Sequence, residues 1–427
     1  MASVTLANFG KPQGGPLSSE YILKKSGAFR KLTEEQMLIS DSLRDFSLRS
    51  LSPRTVMFHN GDAKFLGQKG HAPSKVIQPE DIIDLTQFRR IGVDEKLGGD
   101  GLGIMEQCLM HYWLAYYSPS AAAVLDGISL GLMPLKLAGT EEQKLKVIPK
   151  IMDGTWTICF ALTGTECGSD PFAQDTAKFR YDPEKNLYLL DGEKIFITGA
   201  PNSNITTTFA KGEDGKTTAF LVNRKEDGMP GFTTGPPMDK VSWRASDTSW
   251  VKFASVPVQP ENIIGKVGQG GLLANLTLFF GRLKIAWEAY AIMAAILDAT
   301  THYARLRNAA GGGKLADSAT FHSQLGGIVP KIMAVRALLF DTASLAEIRT
   351  ADDKVPEEFG DNATSAKIFA CSTLQEVADW GARWNGGAGV MNDSRMAVYD
   401  ADRKVYLFVE GAEDILKVFM GRRFAKE

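Results

Sequence analysis

The chain has 427 residues, 44% hydrophobic and 23% charged, with a net charge of −2; this is the profile of a globular protein with room for two or three structural units. That charge balance excludes a surface built for nucleic acid or anionic lipid. Four cysteines without CxxC spacing and five histidines without HxxxH or HExxH exclude a disulfide framework, leave no metal-site pattern and point to a reducing compartment.

The N-terminal stretch MASVTLANFGKPQGGPLSSEY lacks the apolar core of a signal peptide and the Arg-rich amphipathicity of a transit peptide. The closing FAKE is not a peroxisomal tripeptide. No apolar run reaches the ~18 residues of a membrane span. The expectation is a cytoplasmic protein with no membrane span and no nucleic-acid partner; a mitochondrial matrix location is left open. Residues 28–150 are expected to be mostly helical, from the periodicity of LTEEQMLISDSLRDF and EDIIDLTQF. A Gly-rich loop, EKLGGDGLG (95–103), interrupts them. The segment 105–139 predicts two largely buried helices broken at Ser118–Pro119.

From about residue 155 to 265, β-branched and aromatic runs such as TWTICFALTG and ITTTFAKGEDGKTTAFLVN alternate with turn residues. They predict an antiparallel barrel or sandwich, with hairpin turns at YDPEKNLY and GEDGK. LLANLTLFFGRLKIAWEAYAIMAAILDATTHYARLR then predicts one helix of nearly ten turns. Further helical segments are expected at 318–350, 362–383 and 400–424, and AAGGGKLADSAT (309–320) reads as a flexible loop. Four long helices with short connections predict a bundle. The fold class is α+β: a helical N-terminal domain (1–154), a central antiparallel β-barrel or sandwich domain (155–268) and a C-terminal four-helix bundle (269–427).

Five motifs follow in order: FALTGTECGSD (160–170), DGEKIFITGA (191–200), WRASDTSWVKFASVPVQPENIIG (243–265), RWNGGAG (383–389) and YLFVEGAED (406–414). Arg282 and Arg307 stand 25 residues apart on the long helix. In order and spacing these motifs resemble the acyl-CoA dehydrogenases, over nearly the whole chain and most strongly from residue 155. The resemblance implies FAD held between the β domain and the bundle, with contacts from a neighbouring subunit of a homotetramer or homodimer. It implies cofactor-binding roles for Phe160, Leu162, Thr163, Gly168, Ser169, Phe196 and Thr198, with Thr198 bonded to flavin N5. Further cofactor contacts are implied for Arg307, Gln324, Arg383, Gly386, Gly387, Ala412 and Asp414. Ser169, Arg282, Gly411 and Arg422 are implied at the substrate. The chain departs from the family pattern at Gly164, Thr165, Ala309, Ala310, Arg383, Ala412 and Asp414, and its loop before Gln324 is about six residues longer.

By the same resemblance Glu410 is the catalytic base. Removing the weakly acidic α-proton of an acyl thioester requires a carboxylate desolvated toward a neutral pKa. Its own backbone N–H and a ribityl hydroxyl would hold the thioester oxygen, and the β-hydride would go to the flavin. Some family members carry the base just before the Arg that matches Arg282; here that position is Gly281, which favours Glu410. The expected activity is α,β-dehydrogenation of an acyl-CoA, with electrons passed to an electron-transfer flavoprotein. The alternatives are an oxidase or flavin monooxygenase on the same fold, or a catalytically degenerate flavin-binding relative. Val409, in place of an aromatic beside the base, hints at a bulky acyl group.

Overall fold

The computed structural model describes residues 32–69, 76–173, 176–224, 229–348 and 355–425. The N-terminal stretch read for targeting signals lies outside them, as do the first residues of the expected helical region. Helix α1 (Glu34–Phe46) begins at a capping box in which Thr33 and Gln36 exchange side chain-to-backbone hydrogen bonds. A short helix α2 (Thr55–Asn60) follows. EDIIDLTQF is not the helix its periodicity suggested. It folds as a 3-10 turn (Pro79–Asp81), a two-residue strand (Ile82–Ile83) and a second 3-10 turn (Thr86–Arg90). Nine residues are short for a helix to persist on its own, and this strand pairs with Lys64–Phe65 instead.

Helices α3 (Ile104–Tyr117) and α4 (Pro119–Ala138) break at Ser118, where proline starts the second helix. By length and composition α4 could cross a membrane. Its apolarity has another cause: it is buried for most of its length, packed against the central sheet and the long bundle helix. Helix α5 (Glu141–Met152) closes this region with its own capping box at Thr140.

The central sheet is mixed rather than purely antiparallel. Call its strands β1 (Ile158–Ala161), β2 (Ala177–Asp182), β3 (Leu187–Thr198), β4 (Ile205–Lys211), β5 (Thr217–Asn223), β6 (Phe232–Thr234), β7 (Thr248–Val258) and β8 (Ile263–Ile264). They order as β8-β5-β4-β2-β3-β7-β6, and β1 also pairs with β4. The hairpins expected at YDPEKNLY and GEDGK form, joining β2 to β3 and β4 to β5. The pairings β1–β4 and β2–β4 are parallel. In both cases the chain joining the pair is more than a tight turn, so strand direction is free of the hairpin constraint.

The long helix α6 (Gly270–Leu306) is as continuous as its sequence predicts and is buried on nearly every side. Helices α7 (Ala319–Glu347) and α8 (Glu358–Asn385) pack with it. The expected helix at 400–424 is divided. Helix α9 (Arg395–Asp402) runs into a 3-10 turn (Arg403–Leu407), the chain turns through Glu410 and Gly411, and α10 (Glu413–Phe424) follows. Glu410 has φ +56° and Gly411 φ +108°, left-handed backbone that ends any helix running through them.

Candidate active site

Glu410 stands on that turn. Its residue is half-buried, but Oε2 is shut off from solvent and has no hydrogen-bond partner among the described residues. Burial, with the Asp126 charge, pushes the carboxyl pKa up to about 8 against the opposing pull of Lys284, Arg282 and Lys367. Space for the carboxylate comes from α6: a Cβ at Gly281 would lie 2.5 Å from Glu410 Oε2. The two possible base positions therefore compete for one volume, and glycine at 281 leaves it to Glu410.

The turn is held from beneath by two buried cations. Arg282 Nε donates to the Glu410 carbonyl at 3.1 Å, and its Nη1 to Thr364 Oγ1 at 3.1 Å. Desolvation lowers the Arg282 pKa to about 10. Lys367, on α8 and 0% exposed, donates from Nζ to the Gly411 carbonyl at 2.9 Å and to the Leu407 carbonyl at 3.3 Å. Burial lowers its pKa. The Lys367 contacts were not legible in SAKIFAC, where a single lysine on an amphipathic helix reads as a solvated side chain. From the sheet side, Ser169 Oγ accepts the Ala412 N–H at 2.9 Å. The backbone N–H of Glu410 has no acceptor among the described residues.

The first two motifs meet through Ile195, whose N–H donates to the Thr163 carbonyl at 3.0 Å. Between Lys194 and Ile197 the β3–β7 register slips. At this bulge Phe196 takes φ +59° and stands 65% exposed, as bulges do where a side chain is re-aimed. Thr198, at the end of β3, is half-buried and faces α4: a Cβ at Gly127 would come 2.8 Å from its Cγ2. Phe160 packs edge-on against Phe209, and Leu162 is buried. Around Gly168, Gly386 and Gly387 an added Cβ would meet nothing within 4 Å, so another molecule can approach these backbones closely.

The remaining expected residues lie elsewhere. Arg307 is exposed just past the end of α6. Gln324 accepts from Trp384 Nε1 at 2.8 Å, beside exposed Arg383 and Gly386–Gly387. The 25 residues from Arg282 to Arg307 amount to about 37 Å of helix. One copy of the chain therefore presents two separate groups, Glu410–Arg282–Ser169 about a third of the way along α6 and Arg307–Gln324–Arg383 at its C-terminal end. Ala412 is the N-cap of α10, Asp414 is exposed in its first turn, and Arg422 is exposed in its last. The loop after Arg307 is tied back by Lys314, which donates to Asn308 Oδ1 at 2.7 Å and to the Leu306 carbonyl at 3.0 Å.

Three family models match the chain in order: acyl-CoA dehydrogenase N-terminal domain (33–155), middle domain (159–256) and C-terminal domain (268–425). A short-chain specific acyl-CoA dehydrogenase of Megasphaera elsdenii is 30% identical over 375 residues, spanning 83% of this chain and 94% of that protein. An acyl-CoA dehydrogenase of Bacillus subtilis (strain 168) is 28% identical over 397 residues, 92% of this chain and 98% of its own. Among solved structures, a chain from the electron transferring flavoprotein work on Acidaminococcus fermentans superposes with TM-score 0.80 at 26% identity, covering 93% of this chain and 99% of that one.

Proposed function

The chain belongs to the acyl-CoA dehydrogenase family, oxidoreductases acting on acyl-CoA, and on that premise we propose that it introduces an α,β double bond into an acyl-CoA thioester with Glu410 as the base. The observation that carries this reading is the desolvated, unpartnered Oε2 of Glu410, with its pKa near 8. A carboxylate tuned this way takes a carbon-bound proton far better than a solvated one.

The residues present fit FAD. Phe196 offers an exposed aromatic face on a strained bulge, Thr198 a hydroxyl beside it, and Gly168 an open backbone. Phe160, Leu162, Thr163, Ser169, Phe196 and Thr198 would hold its flavin side, and Ala412 and Asp414 lie beyond the base. Arg307, Gln324, Arg383, Gly386 and Gly387 would serve the cofactor of a neighbouring copy, which the distance along α6 supports. FAD, when bound, supplies the acceptor for the β-hydride. Glu410 receives the α-proton at its carboxylate. Its backbone N–H, left without an acceptor, is available to the thioester oxygen as charge develops there. Arg282 and Lys367 keep the turn in its left-handed conformation and limit how far the base pKa rises. Gly411 and Arg422 would meet the CoA portion. An electron-transfer flavoprotein is the proposed acceptor and a cytoplasmic location the proposed setting. The four cysteines, none of them in a disulfide, support the latter.

The test is an anaerobic titration of the yellow holoprotein with straight, branched, cyclic and dicarboxylic acyl-CoAs. Bleaching of the oxidised flavin band by one class is expected. A flavoprotein that no thioester bleaches would sink the reading. Steady H₂O₂ release from substrate in air would instead favour the oxidase.

A further inference from the structure

Helices α4 and α6 cross beside the base. The Cβ position of Gly281 lies 3.0 Å from Leu130 Cδ2 and 2.5 Å from Glu410 Oε2. One helical turn away on each helix, four residues before Leu130 and three after Gly281, sit Asp126 and Lys284. Their ion pair closes at 3.2 Å, with side chains 5% and 4% exposed. A turn is about 5.4 Å, so the pair lies roughly that far along the wall from the carboxylate. Lys284 Nζ also donates to Ser129 Oγ at 2.6 Å. Between them, Gly127 faces the Thr198 methyl. The stretch 126–130 of α4 thus runs from the Thr198 methyl to the Glu410 carboxylate, past the Asp126–Lys284 pair.

A wall for a plain hydrocarbon tail is better built from leucine or phenylalanine, because a buried ion pair is desolvated at a loss that its own attraction rarely recovers. This pair is also short of partners. Among the described residues Lys284 is the ion-pair partner of Asp126, whose charge is also felt at Glu410 and Glu288, and its buried Oδ1 lacks a well-aligned hydrogen bond. A carboxylate has about four acceptor positions. Of the three ammonium hydrogens of Lys284, one goes to Ser129, and the contact with Asp126 is an ion pair without a well-aligned hydrogen bond. A carboxylate tail would face Asp126, and a cationic tail would face Lys284. A neutral hydroxyl donates to the one and accepts from the other.

We propose that Asp126, Lys284 and Ser129 form an acyl-recognition site that selects thioesters carrying a hydroxyl a few carbons beyond the reacting pair. This rests on the dehydrogenase reading and names its substrate class.

The test measures kcat/KM of the holoenzyme with an artificial electron acceptor, for butanoyl-, pentanoyl- and hexanoyl-CoA beside their terminal hydroxy derivatives. At least one hydroxy derivative is expected to exceed its parent roughly tenfold or more, since a site built to hydrogen-bond a hydroxyl rejects the analogue lacking it. The Asp126→Leu, Lys284→Met double variant removes both members of the pair together, so neither is left as a lone buried charge; in it the ratio should fall to within about twofold of unity. Ser129→Ala, which keeps the ion pair, should lower the ratio in the same direction and serves if the double variant does not fold. A native preference for every alkyl parent, or a hydroxyl preference surviving in the variants, overturns the proposal while leaving the dehydrogenase reading intact. If no thioester bleaches the flavin, that reading fails and the proposal with it.

Discussion

Glu410 gathers the residue-scale arguments, because its pKa, backbone and surroundings are set by different neighbours. With a folded pKa near 8, kcat/KM should rise with pH and level off above about 8, and Glu410→Gln should keep the flavin while losing anaerobic bleaching. The same shift has a sign in stability. The folded state holds this proton up to about 8, whereas the unfolded chain releases it near the ordinary 4.5. Glu410 therefore makes the fold less stable as pH rises from about 4.5 to 8. Glu410→Gln should then gain Tm relative to the native protein at pH 8 but not at pH 4. Lys367 is the neighbour least visible in sequence. Removing its charge in Lys367→Met should move the pH midpoint above 8 and lower kcat. Lys367→Gln, which keeps donors for the two carbonyls, should recover kcat but not the midpoint. At Gly281, an added methyl occupies the carboxylate's volume. Displacing a base by about 1 Å is worth roughly 10²-fold, so Gly281→Ala should lower kcat by that order with the flavin still bound.

Among the elements, α6 organises the interior. Glu288 on α6 hydrogen-bonds His111 Nδ1 of α3 at 2.7 Å, and accepts from Tyr406 Oη at 2.9 Å. The buried chain of groups links three parts of the polypeptide distant in sequence. Burial lowers the His111 pKa to about 3 and raises that of Glu288, so desolvation works against charge on both partners. Removing one partner of a buried hydrogen bond costs about 1–3 kcal/mol. Tyr406→Phe should lose stability of that size by denaturant unfolding, with the pH midpoint of activity little changed. A loss well under 1 kcal/mol would mean that packing, not this network, joins the 3-10 turn to α6. Helix α4 plays a second organising part. Its apolarity is that of a membrane span, yet its glycines serve close packing: an added Cβ at Gly131 would lie 3.0 Å from the Cys159 carbonyl carbon of β1.

For the whole molecule, the separation of Arg282 from Arg307 is decisive. Arg282, a third of the way along a 37-residue helix, and Arg307, just past its end, are held apart, and a rigid helix cannot bring them together. If copies of the chain complete one another's sites, the protein should elute as a multimer by light scattering. Arg307→Ala should then release flavin on dilution while the isolated Glu410 turn keeps its geometry. A monomer retaining flavin as tightly as the native protein would contradict this arrangement.

Much of this architecture was legible without coordinates. The periodicity of 270–306 fixed the long helix, and the break at Ser118–Pro119 followed from proline chemistry. The hairpins followed from their turn residues. These are local properties, carried by propensity and spacing. Of the motif residues, Ser169 meets the Glu410 turn through the Ala412 N–H. Tertiary structure alone decided the rest. EDIIDLTQF has a helical pattern, but pairing with Lys64–Phe65 outweighs it. The segment 400–424 reads as one helix, yet Glu410 is held in left-handed backbone by Arg282 and Lys367, more than a hundred and more than forty residues away in sequence. The pairing of Asp126 with Lys284 has no local signature at all. Charge, desolvation and the vacancy at Gly281 act through space, so a pKa near 8 belongs to the folded protein and not to the sequence VEGAE.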